Sequence, residues 1–128
     1  MGVAENKALV LRYMKLIEQG QIDEALALAS DDARFWHPTG GESDKAGLRA
    51  AFQQFAPLMK SFRNTILTVT AEEDRVAVEV AADIELVNGR HYHNKYAFLL
   101  VVCEGKICSS HEYVDTKPFE AAFGSAAS

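Results

Sequence analysis

The chain has 128 residues, of which 48% are hydrophobic and 24% charged, and its formal net charge is −5. This length predicts one domain, over residues 1–128, with a core large enough to fold without a disulfide or a metal ion. The acidic balance argues against nucleic acid as a partner and against a polybasic membrane-binding surface. No apolar run reaches the roughly 18 residues of a membrane span, and residues 1–7 have no signal-peptide pattern, so we expect a cytoplasmic protein that does not bind membranes.

Three amphipathic segments in the first half of the chain predict helices, because their apolar residues recur every three or four positions. These segments are residues 6–19, 22–29 and 45–59. Gly20 is a typical residue for the end of the first helix, Asp44 is a typical N-cap for the third, and Pro57 should kink or end that helix. Residues 33–37 form a predicted short strand, and a loop with Pro38 and two glycines follows it.

From residue 62 onward the apolar residues recur at every second position, which is typical of strands. The predicted strands cover residues 62–70, 76–86, 91–103 and 106–114. Alternation is clearest in the second strand, where one face carries Val76, Val78, Val80, Ala82, Ile84 and Leu86. Asn88-Gly89 and Glu104-Gly105 predict hairpin turns, residues 118–123 a last helical turn, and residues 124–128 a frayed tail. Helices followed by antiparallel strands indicate an α+β fold, with the helices packed on one face of a curved sheet.

The two cysteines flank the second hairpin turn. In a two-residue hairpin Cys103 pairs with Lys106 and Val101 with Cys108, so the cysteines are diagonal neighbours about 7–8 Å apart. This distance is too long for a relaxed disulfide. We therefore expect two small thiols that are buried or half-buried.

Two stretches of the sequence resemble one known superfamily. The first half resembles the start of a ketosteroid isomerase at Arg12-Tyr13-Met14, Gly20, Ile22-Asp23, Asp31-Asp32-Ala33 and His37-Pro38. The second half resembles the phenazine-biosynthesis A/B and SnoaL-like proteins at Tyr92-His93-Asn94, Gly105-Lys106-Ile107 and Glu112-Tyr113. The chain thus resembles the SnoaL-like branch of the nuclear transport factor 2-like superfamily, which also includes polyketide cyclases. The resemblance implies a cone-shaped barrel of a strongly curved, mostly antiparallel sheet, three N-terminal helices on its concave face, an apolar pocket between them, and a homodimer through the convex face.

The resemblance also implies roles for three positions. Tyr13 matches the isomerase tyrosine that donates a hydrogen bond to the substrate oxygen, and His37 falls where the isomerases carry a general-base aspartate. A histidine can still move protons near neutral pH. Ala97 falls where the isomerases hold a protonated aspartic acid, and alanine cannot donate that hydrogen bond. Because both acids are replaced, we do not expect classical ketosteroid isomerisation. The structural alternatives are a core tyrosine and a histidine that ends a strand.

Glu112 is the principal candidate for acid/base chemistry. In the resemblance it sits where the phenazine A/B proteins carry an acid/base glutamate. The expected hairpin pairing puts it opposite Ala97, on a face that also carries Leu99, Val101, Cys108, Ser110 and Val114. A carboxylate among such neighbours should be partly desolvated, which favours acid/base chemistry. The alternative is a cross-strand ion pair with its diagonal neighbour Lys95.

The opposite face of this hairpin is too apolar and aromatic to remain in water. We expect it to form the interface of the homodimer, through Tyr96, Phe98, Leu100 and Tyr113. In the alternative assignment this face lines the pocket, Glu112 points outward, and the polar groups that matter are Asn94, Tyr96 and Asp115.

The rest of the predicted pocket wall comes from side chains whose default role is core packing. The third helix supplies Phe52, Phe55 and Met59, and Trp36 lies near the mouth. Ala97, Leu99 and Ser110 complete the predicted substrate-binding set from the hairpin.

The histidines raise the question of a metal site. His91 and His93 share the predicted Glu112 face, whereas His111 lies on the opposite face. Since the third imidazole is on the wrong side for a facial set of ligands, we expect no metal and no cofactor.

These observations favour a cofactor-independent acid/base enzyme of the isomerase, cyclase or dehydratase type. Its substrate would be a small apolar carbonyl or ring compound, with Glu112 moving the proton, His37 assisting and Tyr13 polarising the oxygen. A second hypothesis is a non-catalytic ligand-binding or dimeric scaffold module, since both isomerase acids are absent. A third, an epoxide hydrolase, needs paired aspartates bridged by an arginine, for which Asp83 and Arg63 are the candidates.

Overall fold

A computed structural model describes residues 2–123. Its helices lie mainly in the first half of the chain and its long strands in the second. The predicted tail at residues 124–128 lies outside the described residues. The order of elements is α1 (Val3–Glu18), α2 (Ile22–Leu26), β1 (Ala29–His37), β2 (Gly41–Ser43), α3 (Lys45–Phe55), a 3₁₀ turn (Ala56–Leu58), β3 (Met59–Glu72), β4 (Arg75–Leu86), β5 (His91–Cys103), β6 (Lys106–Val114) and α4 (Thr116–Phe123). None of the helices within the described range is long and apolar enough to cross a membrane.

The strands form a six-stranded sheet in the order β2-β1-β6-β5-β4-β3. β1 runs parallel to β6, and the other neighbouring strands are antiparallel. Register shifts interrupt the β1–β6, β3–β4 and β5–β6 pairs, and such bulges bend and twist a sheet. The sheet curls into an open cone with the helices packed on one face. This confirms the predicted α+β class and the mostly antiparallel sheet.

The main core lies between α1 and the concave face of the sheet. α1 buries Val10, Tyr13 and Met14, which pack in one cluster with the inward residues of β4. Every second residue of β4 from Val76 to Leu86 is buried, so the predicted alternation of this strand is confirmed. Burying one such aliphatic side chain contributes about 1.5–3 kcal/mol, and this contact therefore holds the helical layer on the sheet.

The helix boundaries differ from the prediction: α1 begins three residues earlier and α4 two residues earlier, and α2 and α3 end three and four residues earlier. Asp44 caps α3 as expected, since its Oδ1 accepts a hydrogen bond from the Gly47 backbone N–H at 2.9 Å. α3 ends at Phe55 because Pro57 has no N–H to continue the helical ladder. α2 ends at Leu26, and Ala29 already pairs with β6. Ala29 is buried because it belongs to a strand of the sheet. A short run of apolar residues does not show whether they are buried in a strand or on one face of a helix, so the prediction placed Ala29 in α2.

A β-bulge in β6 changes the hairpin at the two cysteines. Cys103 pairs with Lys106 as predicted, but Val101 pairs with Ser109, so Cys108 is an extra residue in β6. The Cα atoms of Cys103 and Cys108 are 5.8 Å apart and the two residues form a disulfide, a separation within the usual range. The prediction of two thiols was wrong because it assumed a regular ladder. Disulfides are more typical of oxidising compartments than of the cytosol, so the cytoplasmic location stays a prediction.

Candidate functional site

An apolar cavity of about 450 Å³ lies between the helices and the concave face of the sheet. Its wall is largely aromatic and includes Phe35, Phe52, Phe55, Met59, Phe62 and Phe98. Polar side chains interrupt this wall at Tyr13, His37, Tyr96, Ser110 and Glu112. A cavity of this volume with a few convergent polar groups is typical of a small-molecule site.

The parallel β1–β6 pair brings His37 and Glu112 together. Trp36 pairs with His111 at the end of this ladder, so the next residue of each strand, His37 and Glu112, are neighbours that face the cavity. His37 Nε2 lies 2.9 Å from Glu112 Oε2, and both side chains are partly exposed to the cavity. The two principal candidates of the sequence therefore form one hydrogen-bonded dyad.

Thr39 determines which ring nitrogen of His37 carries the proton. The backbone N–H of Thr39 donates to His37 Nδ1 at 3.1 Å, and the Thr39 hydroxyl lies 2.8 Å from the same nitrogen. A backbone N–H can only donate, so Nδ1 is the acceptor and the proton of the neutral ring is on Nε2. This N–H donates to the Glu112 carboxylate and holds it in a fixed orientation.

The bulge at Cys108 shifts the partner of Glu112 by one residue. Glu112 pairs with Phe98, not with Ala97 as predicted. Ala97 and Leu99 are exposed on the opposite face of the sheet, so their assignment to the pocket was wrong. Lys95 shares that opposite face, so it does not pair with Glu112, whose hydrogen-bond partner is His37.

The same shift overturns part of the predicted dimer interface. Tyr96 and Phe98 line the cavity, and Leu100, which is 1% exposed, belongs to the core. Tyr113, in contrast, is exposed on the opposite face. Neither of the two predicted assignments of the hairpin faces is correct as a whole. The cavity is lined by the β5 face with Tyr96 and Phe98, as in the alternative assignment, and by the β6 face with Ser110 and Glu112, as in the first.

His91 and His93 lie on the outer face with Ala97, not on the Glu112 face as predicted. His93 Nδ1 is 2.7 Å from Asp83 Oδ1 there, which also places Asp83 away from the cavity. Within residues 2–123, no three His, Cys, Asp or Glu side chains are close enough to hold a metal ion. The expectation of no metal and no cofactor stays a prediction.

The remaining predicted wall residues border the cavity: Trp36, Phe52, Phe55, Met59 and Ser110. The ring of Trp36, however, lies on the outer face of the sheet, where it packs against His111 and Tyr113, with centroids 5.9 and 5.2 Å away. Sequence reasoning missed Phe119 and Phe123, whose rings pack on Phe55 at 5.9 and 5.4 Å. Their spacing of four residues in a short apolar helix was the available indication that α4 covers the cavity.

Tyr13 is held neutral at the cavity wall. Burial, and next the negative charge of Glu112, raise the pKa of its phenol well above the ordinary value. The ordinary value is about 10. No hydrogen bond to a protein group contributes among the described residues, which leaves the hydroxyl available to a ligand.

This shift predicts a loss of stability at alkaline pH. Below about pH 10 the phenol is protonated in both the folded and the unfolded chain, and it adds no pH dependence. Above about pH 10 the unfolded chain loses the proton while the folded chain keeps it, so the free energy of unfolding falls by about 1.4 kcal/mol per pH unit from this group. Urea unfolding of wild type and Tyr13→Phe between pH 9 and 11.5 measures this, and the variant should show the shallower decline. Equal slopes would contradict the raised pKa.

Comparison with known proteins identifies relatives of the sequence and of the fold. A family model for a SnoaL-like domain matches residues 10–110. No curated protein matches the sequence. Among solved structures, an NTF2-like protein of unknown function from Burkholderia pseudomallei is 18% identical over 95% of this chain and 98% of its own, with a TM-score of 0.84. PrhC from Penicillium brasilianum is 16% identical over 98% and 89%, with a TM-score of 0.86. TerC, co-crystallised with polyporic acid, is 17% identical over 92% and 97%, with a TM-score of 0.82. At these identities the structures establish a shared fold.

Proposed function

The chain belongs to the SnoaL-like domain family, and on that premise we propose that it is a cofactor-independent acid/base enzyme acting on a small apolar carbonyl or ring compound. One observation carries this proposal. A carboxylate, Glu112, accepts a 2.9 Å hydrogen bond from an imidazole at the wall of an apolar cavity. Paired groups of this kind in an apolar cavity are typical of sites that transfer protons.

Glu112 is the base in this proposal. Oε2 accepts the His37 Nε2–H, so Oε1 is left for the substrate. A proton on a carbon beside the carbonyl moves to Oε1, the C–H electron pair forms the C=C bond of an enolate, and negative charge develops on the carbonyl oxygen. Return of the proton to another carbon gives isomerisation. In cyclisation the enolate carbon attacks a second carbonyl of the substrate, whose C=O π electrons move to its oxygen, and that oxygen takes up the proton from Oε1.

His37 and Tyr13 have separate tasks. His37 keeps the carboxylate in place, because Thr39 fixes its tautomer and its N–H binds one carboxylate oxygen. Tyr13 stays neutral and donates a hydrogen bond to the oxygen on which charge develops. The aromatic wall provides the apolar surroundings in which such a hydrogen bond is strongest.

The wall also favours a ring compound as ligand. Aromatic side chains from α3, β1, β3, β5 and α4 meet around the cavity, and flat rings pack well among them in offset or edge-to-face geometry. The relative TerC was crystallised with polyporic acid, which supports a small organic ligand for this cavity as well.

The experiment that tests the proposal is hydrogen–deuterium exchange of 2-tetralone, a small apolar ring ketone with protons beside its carbonyl. In D₂O the wild-type protein should accelerate loss of these proton signals above the buffer rate, as followed by NMR. If the protein binds the ketone but does not accelerate the exchange of its protons, the result would instead support the second function, a non-catalytic binding or scaffold module. That alternative is motivated by His37, which stands where the isomerases carry their general-base aspartate.

We also propose a homodimer through the outer face of the sheet, with a corrected set of residues. Four neighbouring strands contribute one row of residues to this face: Trp36, His111, Leu99 and Ala77. Leu99 in this row and Tyr113 next to it are large apolar residues that are exposed. A second copy would cover this surface.

Sedimentation of the purified protein tests the dimer. The wild type should sediment as a dimer, and Leu99→Glu should shift it to monomer because the charge lies inside the interface. Val87→Glu is the matched control, since Val87 is 62% exposed in the β4–β5 turn. A wild-type monomer at tens of micromolar would contradict the proposal.

A further inference from the structure

A chain of hydrogen bonds leads from Asn94 to the cavity, and its first member has a fixed orientation. Asn94 Nδ2 lies 2.9 Å from the Asp115 backbone oxygen and 2.9 Å from the Tyr92 hydroxyl, and Asn94 Oδ1 lies 2.9 Å from the Lys95 backbone nitrogen. A carbonyl can only accept and a backbone N–H can only donate. If the amide were turned over, its NH₂ group would face the Lys95 N–H and its oxygen would face the Asp115 carbonyl oxygen, so neither hydrogen bond could form. The second amide proton of Asn94 therefore donates to the Tyr92 oxygen.

Tyr92 passes this direction on to Tyr96. Tyr92 is 2% exposed, and its ring lies against Phe119 and Phe123, with centroids 6.2 and 5.2 Å away. Among the described residues, the Tyr96 hydroxyl oxygen at 2.6 Å is the acceptor within reach of the Tyr92 proton. A buried hydroxyl without an acceptor costs about 1–3 kcal/mol, so Tyr92 donates to Tyr96.

The proton of Tyr96 is then available to something else. It cannot also donate to Tyr92, whose hydroxyl occupies that contact as the donor. The Tyr96 ring is stacked on Phe98 at 5.9 Å, and both residues line the cavity. Burial, and next the charge of Glu112, raise the pKa of Tyr96, which keeps the hydroxyl protonated as a donor.

We propose that Tyr96 is a second ligand-contacting hydrogen-bond donor of the cavity, which selects an apolar ring compound bearing an acceptor oxygen, a carbonyl or an enolate, over the corresponding hydrocarbon. Asn94 and Tyr92 are positioning residues that direct the Tyr96 proton into the cavity. The inference rests on the proposed function for the identity of this cavity as the ligand site, but it requires binding alone and no turnover.

The test compares two probes that differ by one carbonyl, 2-tetralone and its hydrocarbon tetralin. NMR titration gives the dissociation constants, and infrared spectroscopy gives the C=O stretch of the bound ketone. The wild type should prefer the ketone by more than tenfold, because Tyr13 and Tyr96 both donate to its oxygen, with the stretch below its wavenumber in hexane. Tyr96→Phe should lower this preference by about tenfold, the effect of one good hydrogen bond, and reverse part of the shift in the stretch, while the contribution of Tyr13 remains.

Two further variants test the direction of the chain. Asn94→Asp places an acceptor where the wild type has a donor, so Tyr92 donates to residue 94 and Tyr96 turns its proton to Tyr92. The ketone preference should then fall nearly as far as in Tyr96→Phe, although the Tyr96 hydroxyl is still present. Tyr92→Phe leaves the Tyr96 proton free, so the preference should fall by no more than about threefold. Urea unfolding shows that each variant is folded before it is compared.

Three outcomes would overturn the inference. The first is a wild type with no preference for the ketone, and the second is a Tyr96→Phe variant that keeps the preference. The third is an equal loss in Tyr92→Phe and Asn94→Asp, which would mean that the chain acts as packing without a direction. Because none of these measurements involves catalysis, the proposed enzyme activity can fail in the exchange assay while this inference holds, and the reverse.

Discussion

Replacing Glu112 by glutamine should slow the exchange of 2-tetralone protons by about 10²–10⁴-fold, the usual contribution of a positioned general base. Glutamine keeps the size of the side chain and can still accept the His37 Nε2–H through its amide oxygen. It cannot take up a proton at neutral pH. The loss should therefore appear in the exchange rate at saturating ketone, while the dissociation constant for the ketone changes little.

Glu79→Gln is the matched control for this variant. Glu79 is an exposed glutamate of β4 on the outer face, so its replacement removes the same charge without touching the cavity. His37→Gln should give an intermediate loss, because in our proposal His37 orients the carboxylate and is not itself the base. If Glu112→Gln exchanged the ketone at the wild-type rate, Glu112 would not be the base and the dyad would be structural.

Replacing Leu100 by alanine should lower the free energy of unfolding by about 2–5 kcal/mol, as is usual for a buried leucine. Leu100 is 1% exposed and packs in the core between α1 and the sheet. Truncation leaves a cavity among close-packed neighbours that cannot fully collapse. The measurement is urea unfolding at neutral pH, followed by circular dichroism.

Its neighbour Leu99 is the control, because it is 38% exposed on the opposite face. Leu99→Ala should cost less than about 1 kcal/mol in the monomer. Unfolding is measured at two protein concentrations, so that any contribution of Leu99 to self-association appears as a shift of the midpoint with concentration. A large loss at Leu99 with a small loss at Leu100 would show that the faces of β5 are assigned the wrong way round.

Local sequence patterns determined the fold and many of its boundaries. Apolar residues recur every three or four positions in the first half of the chain and every second position in the second half, and this change separated the helices from the strands. The alternation of β4 from Val76 onward identified its buried face, because its other face is largely polar. Asp44 and Pro57 marked the start and end of α3 through their backbone chemistry. These features depend on residues a few positions apart, which is the range over which a sequence pattern carries information.

The sequence also singled out Glu112, His37 and Tyr13, through resemblance to a family and the type of side chain. It did not show that His37 and Glu112 form a hydrogen-bonded dyad. Their contact depends on the parallel pairing of β1 with β6, which joins two residues that are 75 positions apart in the sequence. The chain from Asn94 through Tyr92 to Tyr96 was equally out of reach, because it depends on side-chain rotamers and on the backbone at Asp115.

Tertiary structure alone decided which face of the last hairpin lines the cavity. Both faces of β5 are apolar, with Tyr96, Phe98 and Leu100 on one and Ala97, Leu99 and Val101 on the other, so alternation could not identify the inner one. One extra residue at Cys108 then reversed the relation between β5 and β6. Because side chains alternate with a period of two, a bulge of one residue exchanges the partners of every residue beyond it. That single insertion brought Glu112 beside Phe98, closed the disulfide, and moved Ala97 and Leu99 to the outside.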